Sequence, residues 1–455
     1  MADGLGASPN LSAPSVAPSA PDAPFGRAGA AVYAAGSFGT GVFSTVPTII
    51  LLYYCTEILH LPAAWATVIV FLPKVWSILW DPLVGVWSDR TTTPIGRRRP
   101  FMIAGTAGMT LAFVAMFSAP FLGPVGTALW IGTTYFLLAT LYSLFAVPYV
   151  ALPAELVSEA QSRSRLISWR MFVVMLGILT GAGLVPWLVA LLGGGRTGYA
   201  AMSLWVAAAC AIAMTAPIVG LRGRDLPRAA SGVPPAGLPF AMMRRWAGDA
   251  AFARLAGAYL LMLSGCGAVS SAAPYLVIRF FERDERSIGT ALFIMLVATT
   301  LTVTTWARVG RRCGEARTLR FASVGYAVVA ALVCLLAYLH APWPLALVAF
   351  GLLGIPFGAM QVLPYTLIAT LIREGGAHDE AAEGALTGLW TATEKLGLAL
   401  GPTITGLCVW ATGPDAAALP VIAMITTATL IFLAATMLGS KPRAPGYRTA
   451  GDPGT

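Results

Sequence analysis

The chain is divided almost end to end into apolar runs that are long enough to cross a lipid bilayer. An α-helix of about 20 residues spans the hydrocarbon core, because each residue rises by about 1.5 Å. With 57% hydrophobic and only 11% charged residues, the composition excludes a soluble globular protein. We therefore predict an all-α polytopic membrane protein with twelve transmembrane helices. The runs lie near residues 31–57, 62–88, 100–121, 126–152, 166–194, 198–220, 250–280, 286–309, 319–341, 342–372, 384–412 and 415–439.

The arginines are divided unevenly between the connections. The even-numbered connections hold most of them, at residues 90–99, 163–165, 222–245 and 308–320. The odd-numbered connections hold only Arg196, Arg279, Arg283 and Arg286. This asymmetry follows the positive-inside rule, so the even connections and both termini are predicted to be cytoplasmic. The net charge of +9 therefore reflects topology, and no nucleic-acid partner is expected.

Short internal similarities divide the chain into two halves. VPYVALPAEL at residues 147–156 resembles LPYTLIATLI at residues 363–372, nearly half the chain further on. Secondary transporters are often built from two such repeats, with the substrate site near the midplane between them. We predict a disordered cytoplasmic leader (1–28), a six-helix bundle (29–220), a cytoplasmic linker (221–248), a second six-helix bundle (249–439) and a cytoplasmic tail (440–455).

Several motifs resemble those of one group of secondary transporters. GVWSDRTTTPIGRRRP, after the second run, resembles a signature of the major facilitator superfamily, and its GRRRP ending is similar to that of plant sucrose transporters. WDPLVGVWSDRT, VPYVALPAEL and WTATEKLGLALGP are similar to segments of the glycoside–pentoside–hexuronide:cation symporters, whose type member is the melibiose permease. The resemblance implies a major facilitator fold and a gating motif, unless those charges serve only to set topology. The motif residues are Gly85, Asp89, Arg90, Gly96, Arg97, Arg98 and Arg99.

Two of the three lysines, Lys74 and Lys395, lie inside predicted spans. A charge at the bilayer centre costs about 2.5–3.5 kcal/mol, so such residues usually face a cavity and have a partner. Lys74, Ser77 and Asp81 follow the spacing i, i+3, i+7 and therefore share one face of the second helix. Resemblance to the melibiose permease implies that this face is the cation-coupling site, with Lys395 close by.

The coupling ion follows from the residue types at that site. The family's cation site uses two aspartates on the second helix, whereas here the first position is Ser77 and only Asp81 remains. A single carboxylate near two lysines suits proton binding better than sodium binding. We therefore expect proton coupling rather than sodium coupling, and no cofactor. The alternative is an Asp81–lysine lock that stabilises the bundle without coupling.

The residues expected to bind substrate differ from those of the melibiose permease. Its two sugar-binding aspartates match Gly41 and Ala146 here, while its fifth-helix arginine is retained as Arg170. Aromatic residues in spans also serve in packing or as interface anchors. The further candidates for a central site are Tyr142, Tyr149, Trp169, Gln361, Tyr365, Trp390 and Glu394.

These features predict a monomeric cation symporter, with proton as the favoured ion, in the inner (plasma) membrane. Its expected partners are a glycoside or another small polar organic solute and the lipid bilayer. The three histidines lie at loops or span ends and the six cysteines lack metal-site spacing, so no enzyme is expected. Two alternatives remain open: a lysolipid or amphipath carrier or exporter of the same fold, and a non-transporting membrane assembly factor.

Overall fold

The computed structural model describes residues 26–157, 160–221, 250–374, 380–412, 427, 429–431 and 433–438. All regular structure within these residues is helical. The helices are α1 Arg27–Tyr53, α2 Ala63–Arg90, α3 Arg99–Phe117, α4 Gly123–Leu156, α5 Ala160–Leu179, α6 Gly195–Gly220, α7 Ala250–Tyr275, α8 Glu285–Cys313, α9 Glu315–Tyr338, α10 Trp343–Glu374 and α11 Glu380–Thr412.

The helices follow the apolar runs of the sequence. Each of the first eleven predicted spans coincides with one helix to within a turn or two. Among the described residues, 10 helices are long and apolar enough to cross a membrane. The twelfth predicted span lies mostly outside the described residues, as do the leader, the linker and the tail. The domain boundaries drawn at those segments stay predictions.

Three helices widen into a π-helical turn, which apolar periodicity does not predict. α1 continues into Tyr54–Ile58 and α7 into Leu276–Phe280, while α5 continues through Thr180–Leu184 into the short helix Val185–Leu191. The turns after α1 and α7 lead to non-glycine residues with positive φ, His60 at 53° and Glu282 at 51°. The backbone therefore follows the same unusual path at matching places in the two halves.

Helix packing repeats in the same way. In the first half α1 packs on α5, and α4 packs on both α2 and α3. In the second half α7 packs on α11, and α10 packs on both α8 and α9. The halves meet mainly through three pairs, α1–α7, α2–α11 and α5–α8, with a smaller contact between α1 and α11. In the two repeats α2 corresponds to α8, and α5 corresponds to α11. The α2–α11 and α5–α8 pairs are therefore equivalent, and the interface has approximate two-fold symmetry, as in transporters built from repeats.

Small residues let the halves approach closely. A Cβ atom added at Gly289 of α8 would clash with the backbone of Gly183, so only glycine fits at this crossing of α5 and α8. A Cβ atom added at Gly406 of α11 would clash with the side chain of Thr67 in α2. Close helix approach through small residues is the usual packing mode in membranes. These contacts fix two of the three inter-half pairs.

The bundle is closed at one end. We call the end that carries the arginines between α2 and α3 the Arg-rich end, and the opposite one the Arg-poor end. At the Arg-poor end the Tyr53 and Tyr275 rings lie 5.3 Å apart, and the hydroxyls of Thr56 and Tyr275 are 2.6 Å apart. Among the described residues, neither α4 nor α5 packs extensively on α10 or α11. Contacts between the halves thus include a layer of side chains at the Arg-poor end.

Candidate functional site

An ion pair joins the two halves inside the bundle. The Lys395 ammonium of α11 donates a hydrogen bond to Asp81 Oδ2 of α2. Ser143 of α4 donates to the other carboxylate oxygen, Oδ1, at 2.5 Å. Both charged side chains are 24% exposed. A single carboxylate thus connects α2, α4 and α11, at a place where an added proton would alter a contact between the halves.

The second lysine, Lys74, is not part of this pair. Its ammonium donates to Thr48 Oγ1 of α1 at 2.9 Å and to the Leu398 carbonyl of α11 at 3.0 Å. Positions i and i+7 share a helix face but lie about 10 Å apart along the axis, because each residue rises by about 1.5 Å. Ser77 lies between them and donates to the Lys74 carbonyl at 2.8 Å. Lys74 of α2 is therefore linked to α1 and α11 by hydrogen bonds to uncharged acceptors.

The Asp81–Lys395 contact predicts non-additive losses of stability. Removing one partner of a buried ion pair costs about 3–5 kcal/mol, and partial exposure should lower this to about 1–3 kcal/mol here. We expect Asp81→Asn and Lys395→Gln each to lower the thermal unfolding temperature in detergent, and the double variant to be more stable than either. Strictly additive losses in this cycle would show that the two side chains do not interact.

Two further candidates lie near the ion pair. The electrostatic environment of the Tyr142 hydroxyl in α4 includes Asp81, Arg170 and Glu394. These three charges belong to α2, α5 and α11. Among the described residues, the Arg170 guanidinium makes one weak hydrogen bond, with the Met171 sulfur at 3.7 Å. Arg170 therefore remains available to a ligand.

A second group of side chains lies in the C-terminal half, and we call it the aromatic–carboxylate cluster: Tyr259, Tyr365, Trp390 and Glu394. The Tyr259 and Trp390 rings stack with centroids 4.4 Å apart and planes 3° apart. The Tyr365 hydroxyl donates to Glu394 Oε2 at 2.9 Å. Trp390 is buried, whereas Tyr365 is 43% exposed. The sequence analysis missed Tyr259, because a single tyrosine in an apolar run shows nothing of its partners on other helices.

Three other predicted substrate residues do not join these groups. Tyr149 is only 1% exposed, and its hydroxyl is bonded to Ser37 and to the Tyr33 carbonyl. It packs the interior of the first half and does not line an open cavity in this structure. Trp169 lines a separate pocket near the start of α1, and Gln361 is exposed on α10.

The charged gating motif makes several contacts within the first half. Arg98 forms an ion pair with Asp89 at 3.1 Å and also donates to the Pro148 carbonyl of α4 at 3.4 Å. Arg99 donates to the Leu221 carbonyl after α6. These contacts hold the ends of α2, α3, α4 and α6 together.

The glycines of this motif differ in what they require. Gly96 has φ of 102° in the turn between α2 and α3, a conformation that other residues rarely adopt. A Cβ atom at Gly85 would meet Val147 at 3.7 Å, an ordinary contact. Arg90 is exposed and Arg97 is partly buried. Gly96 is therefore required by the turn, whereas this conformation gives no steric reason for Gly85.

The Arg-poor end carries an ion pair that the sequence analysis missed. Arg279 donates to both carboxylate oxygens of Glu57 at 2.7 Å, with a further bond from Nε to Oε2 at 3.2 Å. Each residue lies in a π-helical turn, three positions before His60 and Glu282, respectively. Glu57 and Arg279 therefore occupy matching positions in the two repeats. The pair closes the Arg-poor end across the halves.

Comparisons with known protein families support the transporter interpretation. The family described as "MFS/sugar transport protein" matches residues 32–440. A protein of Escherichia coli (strain K12) provisionally named glycoside/cation symporter YagG is 30% identical over 37% of this chain and 37% of its own length. The inner membrane symporter YicJ of the same organism is 29% identical over 34% of this chain and 33% of its own. The matched segments thus span about a third of these relatives.

Other relatives and solved structures extend the picture. Sodium-dependent lysophosphatidylcholine symporter 1 of Xenopus tropicalis is 27% identical over 30% of this chain and 26% of its own length. The crystal structure of a D-xylose-proton symporter aligns with a TM-score of 0.66 at 14% identity, covering 90% of this chain and 96% of that one. A bacterial homologue of the human lysosomal transporter Spinster, in an inward-facing and occupied conformation, aligns with a TM-score of 0.67 at 14% identity, covering 90% and 95%. These alignments show a shared fold.

Proposed function

Because this chain belongs to the MFS/sugar transport family, we propose that it is a cation symporter for a glycoside or another small polar organic solute. Its resemblance to the glycoside–pentoside–hexuronide:cation symporters is confirmed by these relatives. The observation that carries this proposal is the Asp81–Lys395 ion pair between the halves. An ionisable group at an interface that must open can link ion binding to the rocking of the halves by which such transporters alternate access. Substrate would enter and leave through a cavity between them.

The proposed arrangement in the membrane follows from the arginines. Twelve helices would cross the inner (plasma) membrane, with the Arg-rich end and both termini in the cytoplasm. Side chains of the two halves are joined at the Arg-poor end, so we propose that this conformation faces the cytoplasm. The protein would function as a monomer, since one chain supplies both halves of the site.

Protons are the proposed coupling ion. Near Asp81, the Ser143 hydroxyl donates a hydrogen bond to the carboxylate, and the Ser77 hydroxyl donates one to the Lys74 carbonyl. One carboxylate that already holds a lysine offers little to a sodium ion, which prefers several oxygen ligands, whereas it can accept a proton. Sodium coupling is the alternative, and the name of the lysophosphatidylcholine symporter relative is the reason to keep it.

The test is solute uptake by sealed membrane vesicles that contain the protein. We expect at least one solute in a panel of radiolabelled glycosides, pentosides and hexuronides to accumulate when the outside is acidified, and a protonophore to abolish that accumulation. At fixed pH, sodium should have no effect. Sodium-stimulated uptake that ignores the protonophore would overturn proton coupling, and no exchange of any solute would contradict the transport proposal.

The amphipath carrier is the second candidate, supported by the lysophosphatidylcholine symporter relative. Uptake of a lysolipid but of no sugar in the same vesicles would favour it. A non-transporting assembly factor is less well supported, because it need not bear the energetic cost of Lys74, Asp81 and Lys395 inside the bundle.

A further inference from the structure

We propose that a pocket at the Arg-rich end binds the phosphate headgroup of an anionic phospholipid. The pocket has a volume of about 740 Å³ and lies where α1 packs on α5. It is lined by Arg27, Ala28, Ala31, Arg165 and Trp169. None of these residues belongs to the ion pairs that join the two halves, so the pocket is a separate site from the one proposed for symport.

Two arginines give the pocket its positive charge. Arg27 lies in the first turn of α1 and Arg165 in the second turn of α5, and both side chains are exposed. Among the described residues, neither guanidinium forms a hydrogen bond or an ion pair. A guanidinium binds phosphate oxygens through two parallel hydrogen bonds. Because Ala28 and Ala31 add only methyl groups to the lining, the pocket has room for a phosphate group between the two arginines.

The apolar surface beside the pocket indicates that the phosphate belongs to a lipid. Arg165, Trp169, Phe172 and Leu176 follow the spacing i, i+4, i+7, i+11 and therefore share one face of α5. The three apolar side chains are exposed, and the Trp169 and Phe172 rings meet edge to face with centroids 6.4 Å apart. This face runs from a charged helix end toward the middle of an apolar span. A ligand with an anionic head and an acyl chain matches the whole of it.

The position of the pocket along the helices suits the same ligand. Both α1 and α5 begin at the Arg-rich end, which is the proposed cytoplasmic side. Tryptophan is enriched at the level of the lipid headgroups, and basic pockets between membrane helices on this side bind anionic headgroups. A soluble phosphate compound would also bind the two arginines, but it would gain nothing from the exposed apolar face of α5.

The test compares ligands that differ in charge or in acyl chains. Purified full-length protein, freed of lipid in detergent, is titrated with phosphatidylglycerol, phosphatidylcholine and glycerol phosphate, and bound molecules are counted by native mass spectrometry. We expect the first phosphatidylglycerol to bind at least about tenfold more tightly than either of the other two. The double variant Arg27→Gln with Arg165→Gln should lower that affinity about tenfold, and Trp169→Ala should lower it about threefold.

The matched control removes the same charge elsewhere at the Arg-rich end. Arg311→Gln with Arg312→Gln replaces two exposed arginines in the last turn of α8, and it should keep the affinity for phosphatidylglycerol within about twofold. Equal losses in the two double variants would overturn the proposal, because they would show attraction by net charge alone. Equal affinity for phosphatidylcholine would overturn it too.

Glycerol phosphate that binds as tightly as phosphatidylglycerol would assign the pocket to a soluble phosphate compound and overturn the lipid assignment. Since Arg27 and Arg165 are exposed, the pocket variant should unfold at the wild-type temperature when no lipid is present. If the double variant does not fold, each single variant carries the test, with an expected loss of about threefold. Unchanged affinity in both single variants would then refute the proposal.

Discussion

Replacing Asp81 with asparagine is expected to abolish solute accumulation driven by a pH gradient while solute exchange across the membrane continues. Asparagine is close in shape to aspartate and can still accept the Ser143 hydrogen bond, but it cannot take up and release a proton. If this carboxylate is the coupling group, accumulation should fall at least about tenfold, which corresponds to about 1.4 kcal/mol of coupling free energy.

Vesicles that contain Asp81→Asn are compared with wild type for acid-driven accumulation and for counterflow of the same solute. The matched control is Glu282→Gln, which neutralises an exposed carboxylate outside the helices and should behave as wild type. Wild-type accumulation by Asp81→Asn would remove Asp81 from the coupling mechanism. It would also favour the view that the Asp81–Lys395 pair only locks the bundle.

Reversing one charge of the Glu57–Arg279 pair is expected to shift the protein toward a conformation that is open at the Arg-poor end. Glu57→Arg or Arg279→Glu sets like charges against each other where charge-assisted hydrogen bonds now hold the halves. Such bonds contribute about 1.5–3 kcal/mol each, so the population of the open form should rise at least about tenfold. The double reversal, Glu57→Arg with Arg279→Glu, should restore closure.

A native cysteine can report this opening. Cys55 lies in the π-helical turn that also contains Glu57, and it is 0% exposed. Cys313 is the one exposed cysteine, so the assay uses a Cys313→Ser background in detergent. Maleimide labelling should speed up about tenfold in each single reversal and slow down again in the double one. Equal labelling rates in all forms would show that the pair does not hold this end closed.

The sequence predicted the helices and the central ion pair for sound physical reasons. Apolar length determines a membrane helix almost by itself, so the first eleven predicted spans match helices to within a turn or two. Lysine and aspartate inside such helices need partners, so Asp81 and Lys395 could be expected to meet. Lys74 also needs partners, and it finds them in the Thr48 hydroxyl and the Leu398 carbonyl. The pattern of charges in the sequence does not show whether the partner of a buried lysine is a carboxylate or an uncharged acceptor.

Features made by three-dimensional contact alone were not predictable. Each π-helical turn adds one residue to the hydrogen-bonded turn of the helix, and the hydrophobic periodicity of the sequence does not reveal it. Glu57 and Arg279 lie at helix ends, where a charged residue ordinarily faces solvent, so nothing in their local sequence indicates a shared ion pair. Tyr259 shows its stacking on Trp390 only once α7 and α11 are placed side by side. Tyr149 shows the converse, because its residue type suited a binding site while its packing is internal.

The opposite charges carried by the π-helical turns after α1 and α7 affect how the two halves recognise each other as the chain folds. Because the halves share one plan and meet about an approximate two-fold axis, the first half could in principle dimerise with another first half through the same surfaces. Such a dimer would set Glu57 against Glu57, and a dimer of second halves would set Arg279 against Arg279. The correct pairing alone brings the opposite charges together. Because the two halves carry opposite charges at matching positions, pairing between two copies of the same half is disfavoured, and pairing of the two halves of one chain is favoured.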